Sequence, residues 1–138
     1  MTLQEDMIVD IPENRVRFFG TQGKMLLPCP ATIEALIMKI PESRLATTDL
    51  IRKHLLVLFD VEAVCPVTTQ KALKAVAHDS EENVAYWRVI KKDGKLIASF
   101  LGGIESHAAQ LRDEGFMLES AGKHIKVKGF HDQLVKFG

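Results

Sequence analysis

The sequence contains little cysteine, few aromatic residues and no long apolar run. Two cysteines, Cys29 and Cys65, are too few for a disulfide framework in a chain of 138 residues. No apolar stretch approaches the roughly 20 residues that a membrane span needs. The acidic beginning, MTLQEDMIVD, also lacks the pattern of a signal peptide. We therefore expect a cytoplasmic protein that does not contact a membrane.

The sequence has no excess of charge of either sign. Lysine and arginine total 18, aspartate and glutamate also total 18, and the formal net charge is zero. Affinity for nucleic acid therefore requires a local basic surface, because bulk charge cannot supply it. The hydrophobic share of 46% and the charged share of 26% are typical of a globular chain, and the length suits one domain.

Motifs for metals and for nucleotides are absent as well. No two of the five histidines are spaced at i+3 or i+4, and neither cysteine belongs to a Cys-x-x-Cys motif. The sequence contains neither Gly-x-x-x-x-Gly-Lys-Ser/Thr nor Gly-x-Gly-x-x-Gly. We therefore expect no metal and no cofactor.

Three segments carry the signals of helices. Residues 30–40 have apolar side chains at helical spacing, and Pro41 ends that segment. A second helix begins at Thr47 or Thr48, either of which can cap it, and a third covers 66–78. The second and third helices are joined by a short linker, which predicts a helix-turn-helix.

The third predicted helix has one apolar side and one polar, basic side. Gln70, Lys71 and Lys74 lie on the basic side, close to Thr69 near the helix start. These residues are candidate contacts to duplex DNA. A solvated helix face is the alternative interpretation of the same pattern.

The second half of the chain predicts a small sheet and a fourth helix. Residues 84–90 are typical of a strand, and Asp93-Gly94 predicts a hairpin that returns over 96–98. Gly102 and Gly103 precede a helix that Gly115 ends. We expect a strand over 124–128, a short helix or turn over 130–137, and an arm or a strand pair in the first 28 residues.

One segment is unusual because it holds the only tyrosine and the only tryptophan of the chain side by side, Tyr86 and Trp87, followed by Arg88. Neighbouring residues of a strand point to opposite faces of the sheet. One ring would then be exposed and the other buried, and a purely structural role for both rings is the alternative.

This order of elements resembles the DNA-binding domain of the O6-alkylguanine-DNA alkyltransferases, and more closely their alkyltransferase-like relatives. The resemblance covers 30–116 and includes the Tyr-Trp-Arg-Val segment, the Gly102-Gly103 pair and the closing Glu114-Gly115. It implies a mainly α fold with a small β wing, of the helix-turn-helix or winged-helix type. A single domain would consist of an N-terminal arm (1–29), this core, and a C-terminal extension (117–138).

In the repair enzymes of this family the motif reads Pro-Cys-His-Arg-Val, and the cysteine takes the alkyl group from a flipped guanine. Here Tyr86 stands at the cysteine position, and Trp87 replaces the histidine that relays a proton to its glutamate partner. A phenol is a poor acceptor compared with an activated thiolate. The resemblance therefore implies a protein that binds O6-alkylguanine without repairing it, and Glu114 is left without its histidine. The implied lesion pocket consists of Tyr86, Trp87, Arg88, Gly102, Gly103 and Glu114.

The resemblance also implies how the DNA would be held. The family's tyrosine that helps to rotate the nucleotide falls at about Thr48, and its arginine finger falls at Gln70 or Lys71. The implied partner is double-stranded DNA containing O6-alkylguanine, with a downstream repair protein acting afterwards.

Two other classes of function remain open from the sequence. A winged-helix-type regulator or a protein-interaction module would fit the zero net charge and the acidic loop at 79–82. A pocket open beside Tyr86 would distinguish lesion binding from that alternative. An enzyme is the third possibility, and it would require Cys65 or Cys29 to replace the missing acceptor.

Overall fold

The computed structural model describes residues 4–79, 84–100 and 102–137 of the protein. Within these residues, five helices and seven strands follow one another along the chain: β1 (Met7–Asp10), α1 (Val16–Phe19), β2 (Lys24–Leu27), α2 (Pro30–Ile37), β3 (Ala46–Thr47), α3 (Thr48–Leu58), β4 (Ala63–Val64), α4 (Pro66–Asp79), β5 (Val89–Ile90), α5 (Gly103–Asp113), β6 (Leu118–Ala121) and β7 (His124–Val127). Three 3-10 turns add to these at Glu13–Arg15, Tyr86–Arg88 and Phe130–Gln133.

The predicted strand pair in the first 28 residues is confirmed. Strand β1 pairs antiparallel with β2, with Val9 opposite Met25. Strand β2 also pairs in parallel with β4, so that the sheet has the order β1-β2-β4. The N-terminal segment reaches α2 as well, because the Asp6 carboxylate accepts hydrogen bonds from the Cys29 amide (2.8 Å) and the Thr32 hydroxyl (2.7 Å). These bonds satisfy donors at the start of α2.

The predicted helix over 30–40 is present, although α2 ends at Ile37 and a turn continues to Ile40. Helix α3 is capped by Thr47, whose hydroxyl accepts a hydrogen bond from the Leu50 amide at 3.3 Å. The helical spacing of Ile51, Leu55 and Leu58 predicts that all three face the core, but Leu58 is wrongly placed by this pattern, since its side chain is 59% exposed. The chain reverses at Asp60, which has a φ of +51°, and Val61 occupies the buried position instead.

Helix α4 covers the predicted range and ends one residue later, at Asp79. It packs on α2 through Ala72, Leu73 and Val76, and its basic side is exposed as predicted. With α3 and the short linker through β4, it forms the helix-turn-helix. Residues 80–82 of the predicted acidic loop lie outside the described residues.

The prediction of a strand over 84–90 is wrong for most of its length. The Tyr86 amide donates to the Val84 carbonyl at 3.0 Å around Ala85 (φ −85°, ψ 61°), which is an inverse γ-turn. A 3-10 turn follows, and only β5 pairs, in parallel with the two-residue strand β3. Strand β3 is too short to form backbone hydrogen bonds with residues 84–88. The rule that neighbouring side chains of a strand point to opposite faces therefore does not apply to Tyr86 and Trp87.

The predicted hairpin over 91–98 is also replaced by a different pairing. The turn itself forms, with the Gly94 amide bonded to the Lys91 carbonyl at 2.9 Å. The residues after it pair with β7 rather than with 84–90, since Lys95 lies opposite Lys126 and the Leu96 amide donates to the Ile125 carbonyl. A Cβ at Gly94 would lie 2.5 Å from the Phe130 ring, so this close approach requires glycine.

The C-terminal extension completes a second core beside the helical one. Strand β7 agrees with the predicted strand over 124–128, and its antiparallel pairing with β6 forms a hairpin that the sequence analysis missed. Val127 and Phe130 are buried against Leu111 of α5. The break at Gly102-Gly103 is confirmed, because both residues have positive φ values, +84° and +70°. Among the residues described, no helix is long and apolar enough to cross a membrane.

Candidate functional site

An ion pair in the interior connects the Tyr86–Arg88 turn with the end of α5. The Arg88 Nε atom donates to both carboxylate oxygens of Glu114, at 2.9 and 3.1 Å. One Arg88 terminal nitrogen donates to the Ile40 carbonyl at 2.8 Å. The two side chains are only 17% and 9% exposed. These two members of the predicted lesion pocket are therefore engaged with one another, and they connect the turn after α2, the Tyr86–Arg88 turn and the end of α5.

Glu114 has a further partner in Trp87. The indole Nε1–H of Trp87 donates to the second carboxylate oxygen of Glu114. Although the resemblance leaves Glu114 without a histidine, its carboxylate is paired with the Trp87 indole and with Arg88. An indole N–H can only donate, so this contact fixes the orientation of Trp87 but cannot relay a proton to a neighbour.

His107 is a buried polar residue that the sequence analysis missed. Its Nδ1 accepts from the Ile97 amide at 3.1 Å, so its Nε2 carries the proton and donates to the Trp87 carbonyl at 2.8 Å. Burial lowers the pKa of His107 to about 4, although the hydrogen bond to Trp87 acts in the opposite direction. The neutral ring thus holds the Trp87 turn and the loop that begins at Ile97 in one arrangement. The sequence did contain a signal of its burial, because His107 follows Ile104 by three residues and so lies on the core side of α5.

Acid is expected to destabilise the protein through His107. Its folded pKa lies below the ordinary 6.5, so the unfolded chain binds the proton first and stability falls as the pH decreases from 6.5 to 4. The loss at pH 4 is about 3 kcal/mol, from about 1.4 kcal/mol for each pKa unit. Urea unfolding at pH 7, 5.5 and 4.5 gives the free energy of unfolding of wild type and of His107→Gln, and only wild type should show this loss. Equal pH dependence of both proteins would contradict the expectation.

A cleft of about 1000 Å³ lies between the helix-turn-helix and the segments that follow β5. Helices α3 and α4 line one side with Thr48, Arg52, Gln70 and Lys74. The opposite side has a loop, a turn and the C-terminal extension: Lys91, Lys92, Asp93, Ile97, Ala98, Ser99, Phe100, Lys126, Phe130 and His131. The volume is sufficient for a purine base with a substituent, because ligand pockets of this kind measure about 300–1,000 Å³.

The cleft is cationic although the whole chain is neutral. Five of its lining residues carry a positive charge, namely Arg52, Lys74, Lys91, Lys92 and Lys126. Asp93 is the one carboxylate among the described lining residues, and it pairs with Lys95 at 3.2 Å. A groove with this charge attracts a polyanion. The local basic surface that the sequence analysis required for nucleic-acid binding is therefore present.

The structure separates the predicted DNA-contacting residues into three groups. Thr48, Gln70 and Lys74 line the cleft, and Lys71 is exposed one helical turn before Lys74. Thr69 is only 1% exposed, and its hydroxyl donates to the Cys65 carbonyl at 2.7 Å. The assignment of Thr69 as a DNA contact is therefore corrected, because its hydroxyl stabilises the first turn of α4 and does not reach the surface.

The predicted pocket residues do not line the cleft. Among the lining residues that the structure describes, Tyr86, Trp87, Arg88, Gly102, Gly103 and Glu114 are all absent. Tyr86 packs edge-on against Phe100, with the ring centroids 5.3 Å apart, and Phe100 does line the cleft. Sequence reasoning missed Phe100 because its loop carries no helical or strand periodicity.

Neither cysteine belongs to the cleft lining in the described part of the chain. Cys29 is buried, and Cys65 is half-buried with its sulfur accepting from the Thr68 hydroxyl at 3.3 Å. In the same described residues, no group of three or more metal-ligating side chains is found.

No protein-family model matches this sequence, and no curated protein matches it. Its fold, however, is similar to solved structures. The crystal structure of S. pombe ATL in complex with DNA has a TM-score of 0.62 and 16% sequence identity, over 78% of this chain and 94% of that one. The crystal structure of S. pombe Atl1 in complex with damaged DNA containing O6-carboxymethylguanine has a TM-score of 0.61, with the same identity and coverage. The likeness confirms the predicted fold of mainly α structure with a small β wing.

Proposed function

We propose that this protein binds duplex DNA through its helix-turn-helix and receives a flipped, O6-alkylated guanine in the cleft without repairing it. The observation that carries the proposal is the cationic cleft itself, since it opens between the basic side of α4 and the Ile97–Phe100 loop. The fold shared with two crystal structures of the S. pombe alkyltransferase-like protein bound to DNA supports it.

Phosphate contacts would come from the charged rim of the cleft. Lys74 on α4 and Lys91 and Lys92 on the opposite turn are exposed lysines that flank the opening. Contacts of this kind position a protein on DNA but carry no sequence information. They suit a protein that searches any sequence for a damaged base.

The apolar part of the cleft would receive the base. Phe100, Ile97 and Leu73 form its buried apolar floor, and Tyr86 packs edge-on against Phe100. Stacking on an aromatic side chain contributes about 1–3 kcal/mol per base. Extrusion of a base costs a few kcal/mol, and less for a damaged base that pairs weakly, so the difference favours lesions.

Binding without alkyl transfer follows from the chemistry of the residues near the cleft. Tyr86 holds the acceptor position of the family motif, and a phenol lacks the nucleophilicity of a thiolate. Cys29 and Cys65 are engaged at the starts of α2 and α4 instead. Recruitment of a repair protein after binding, and a cytoplasmic location, stay predictions.

Duplexes that differ only in one O6-methylguanine test the proposal. Wild type is expected to bind the lesion duplex about 5- to 150-fold more tightly, because the weakly paired lesion is extruded at lower cost and so gains the 1–3 kcal/mol of stacking in the cleft. Ala98→Trp places a large ring at an exposed position in the cleft and is expected to abolish this preference while undamaged DNA is still bound. Fluorescence anisotropy measures both affinities.

Ala35→Trp is the matched control, because Ala35 is exposed on α2 and is not among the cleft residues. A radiolabelled methyl group on the lesion reports transfer in the same samples. Label on the protein would overturn the non-enzymatic part of the proposal. Equal affinity of wild type for both duplexes would overturn the recognition of the lesion.

A further inference from the structure

Two lysine-rich segments lie side by side next to the cleft, and we call them together the wing: residues 91–95 and 118–128. They are joined by backbone contacts, since Lys95 lies opposite Lys126 and the Val127 amide donates to the Gly94 carbonyl at 2.9 Å. Residues 118–128 of the wing belong to the C-terminal extension, which is separate from the helix-turn-helix and is given no role in the function proposed above.

Strand alternation places the basic residues of β7 on one face. Ile125 and Val127 point into the second core, so His124, Lys126 and Lys128 point to the other side. Lys126 lines the cleft, which shows that this outer face is continuous with the surface proposed to meet DNA. The hydrogen bond from the Lys128 amide to the Met117 carbonyl (2.8 Å) extends the ladder to Lys128.

The charge of the wing is strongly one-sided. It has two acidic residues, Asp93 and Glu119, against six lysines: Lys91, Lys92, Lys95, Lys123, Lys126 and Lys128. Both acidic residues form ion pairs within the wing: Asp93 with Lys95 at 3.2 Å, and Glu119 with Lys126 at 3.6 Å. These pairs relieve the repulsion between the two lysines that lie opposite one another.

The remaining lysines have no such partner. Within the described ranges, no carboxylate lies within 4 Å of the ammonium groups of Lys91, Lys92, Lys123 and Lys128. Lys123 and Lys128 are also exposed and outside the cleft. Four exposed lysines without an acidic partner, on the two adjoining segments of the wing of a neutral protein, are typical of a polyanion contact.

We infer that the wing is a second phosphate-binding surface, which holds the DNA backbone beside the segment bound by α4. The inference rests on the proposed function and extends it, because it assigns Lys123 and Lys128 of the C-terminal extension to the DNA interface. The partner is the duplex backbone rather than a base edge, because lysine acts as a point charge toward phosphate.

Neutralisation of the two lysines outside the cleft tests this inference. Lys123→Gln with Lys128→Gln should lower the salt slope of binding by about two and weaken binding about 60-fold at 0.1 M salt, if each contacts one phosphate. Anisotropy with an undamaged and a lesion duplex at several salt concentrations measures both quantities. The preference for the lesion should not change, because phosphate contacts do not read bases.

Arg17→Gln with Lys39→Gln is the control, since it removes the same charge from exposed positions outside both the wing and the cleft. Affinity and slope equal to wild type in the wing variant would overturn the inference, and the proposed function would still stand if wild type binds the lesion duplex more tightly. Equal losses in the wing variant and the control would overturn it too, because net charge alone would explain them. If wild type does not bind DNA at all, both the proposed function and the inference about the wing are overturned.

Discussion

Glu114→Ala is expected to lower the free energy of unfolding by about 3 kcal/mol, because it leaves the Arg88 guanidinium buried without its counter-charge. Glu114 also accepts hydrogen bonds from the Trp87 indole and, at 3.3 Å, from the Ser43 amide. Three residues from two other segments of the chain lose a partner in this one change: Trp87 and Arg88 in one turn, and Ser43. Urea unfolding at pH 7, followed by circular dichroism, measures the loss.

Asp113→Ala is a suitable control for this experiment. Asp113 is the neighbouring residue at the end of α5, and it is exposed. Its substitution should change stability by no more than about 0.5 kcal/mol, as is usual for surface positions. A loss below about 1 kcal/mol for Glu114→Ala would show that water or another group satisfies Arg88. The indole emission of Trp87, the only tryptophan, should change in Glu114→Ala but not in Asp113→Ala.

Lys71→Glu with Lys74→Glu is expected to weaken binding to every duplex by at least about 60-fold at 0.1 M salt. The two residues are three positions apart, so they lie on the same face of α4, and that face borders the cleft. The salt slope should fall by about two, provided that each lysine contacts one phosphate. The losses should be equal on damaged and undamaged duplexes.

Arg17→Glu with Lys39→Glu reverses the same number of charges elsewhere on the surface and should leave binding within about twofold of wild type. Thermal unfolding checks that both variants are folded. Unchanged affinity in the α4 variant would place the DNA interface on another surface. A loss confined to the lesion duplex would instead assign these lysines to base recognition.

The helices were predictable because their signals are local. Apolar residues at helical spacing placed Ile33, Leu36 and Ile37 in the core, where each is at most 2% exposed. The cap at Thr47 and the break at Gly102-Gly103 likewise depend on short-range chemistry, namely a hydroxyl that accepts an amide and residues that tolerate positive φ.

The sheet predictions failed where pairing partners are distant in sequence. The Asp93-Gly94 turn formed, but the residues after it pair with β7, about thirty residues later, and not with the residues before it. The contact of the Phe130 ring with Gly94 places the C-terminal extension next to this turn. Residues 84–88 had the composition of a strand and no strand to pair with. Composition does not specify a partner, so such a segment adopts whichever local turn its neighbours allow.

The candidate site was predictable in part. The sequence alone determined the helix-turn-helix and its basic side at Gln70, Lys71 and Lys74. Each of these follows from residue identity and short-range spacing. Only the tertiary structure decided that Glu114 pairs with Arg88 and Trp87, that Phe100 both lines the cleft and packs on Tyr86, and that Lys126 lines the cleft. These contacts join residues 14 to more than 50 positions apart, and the packing of the two cores, rather than any local pattern, brings them together.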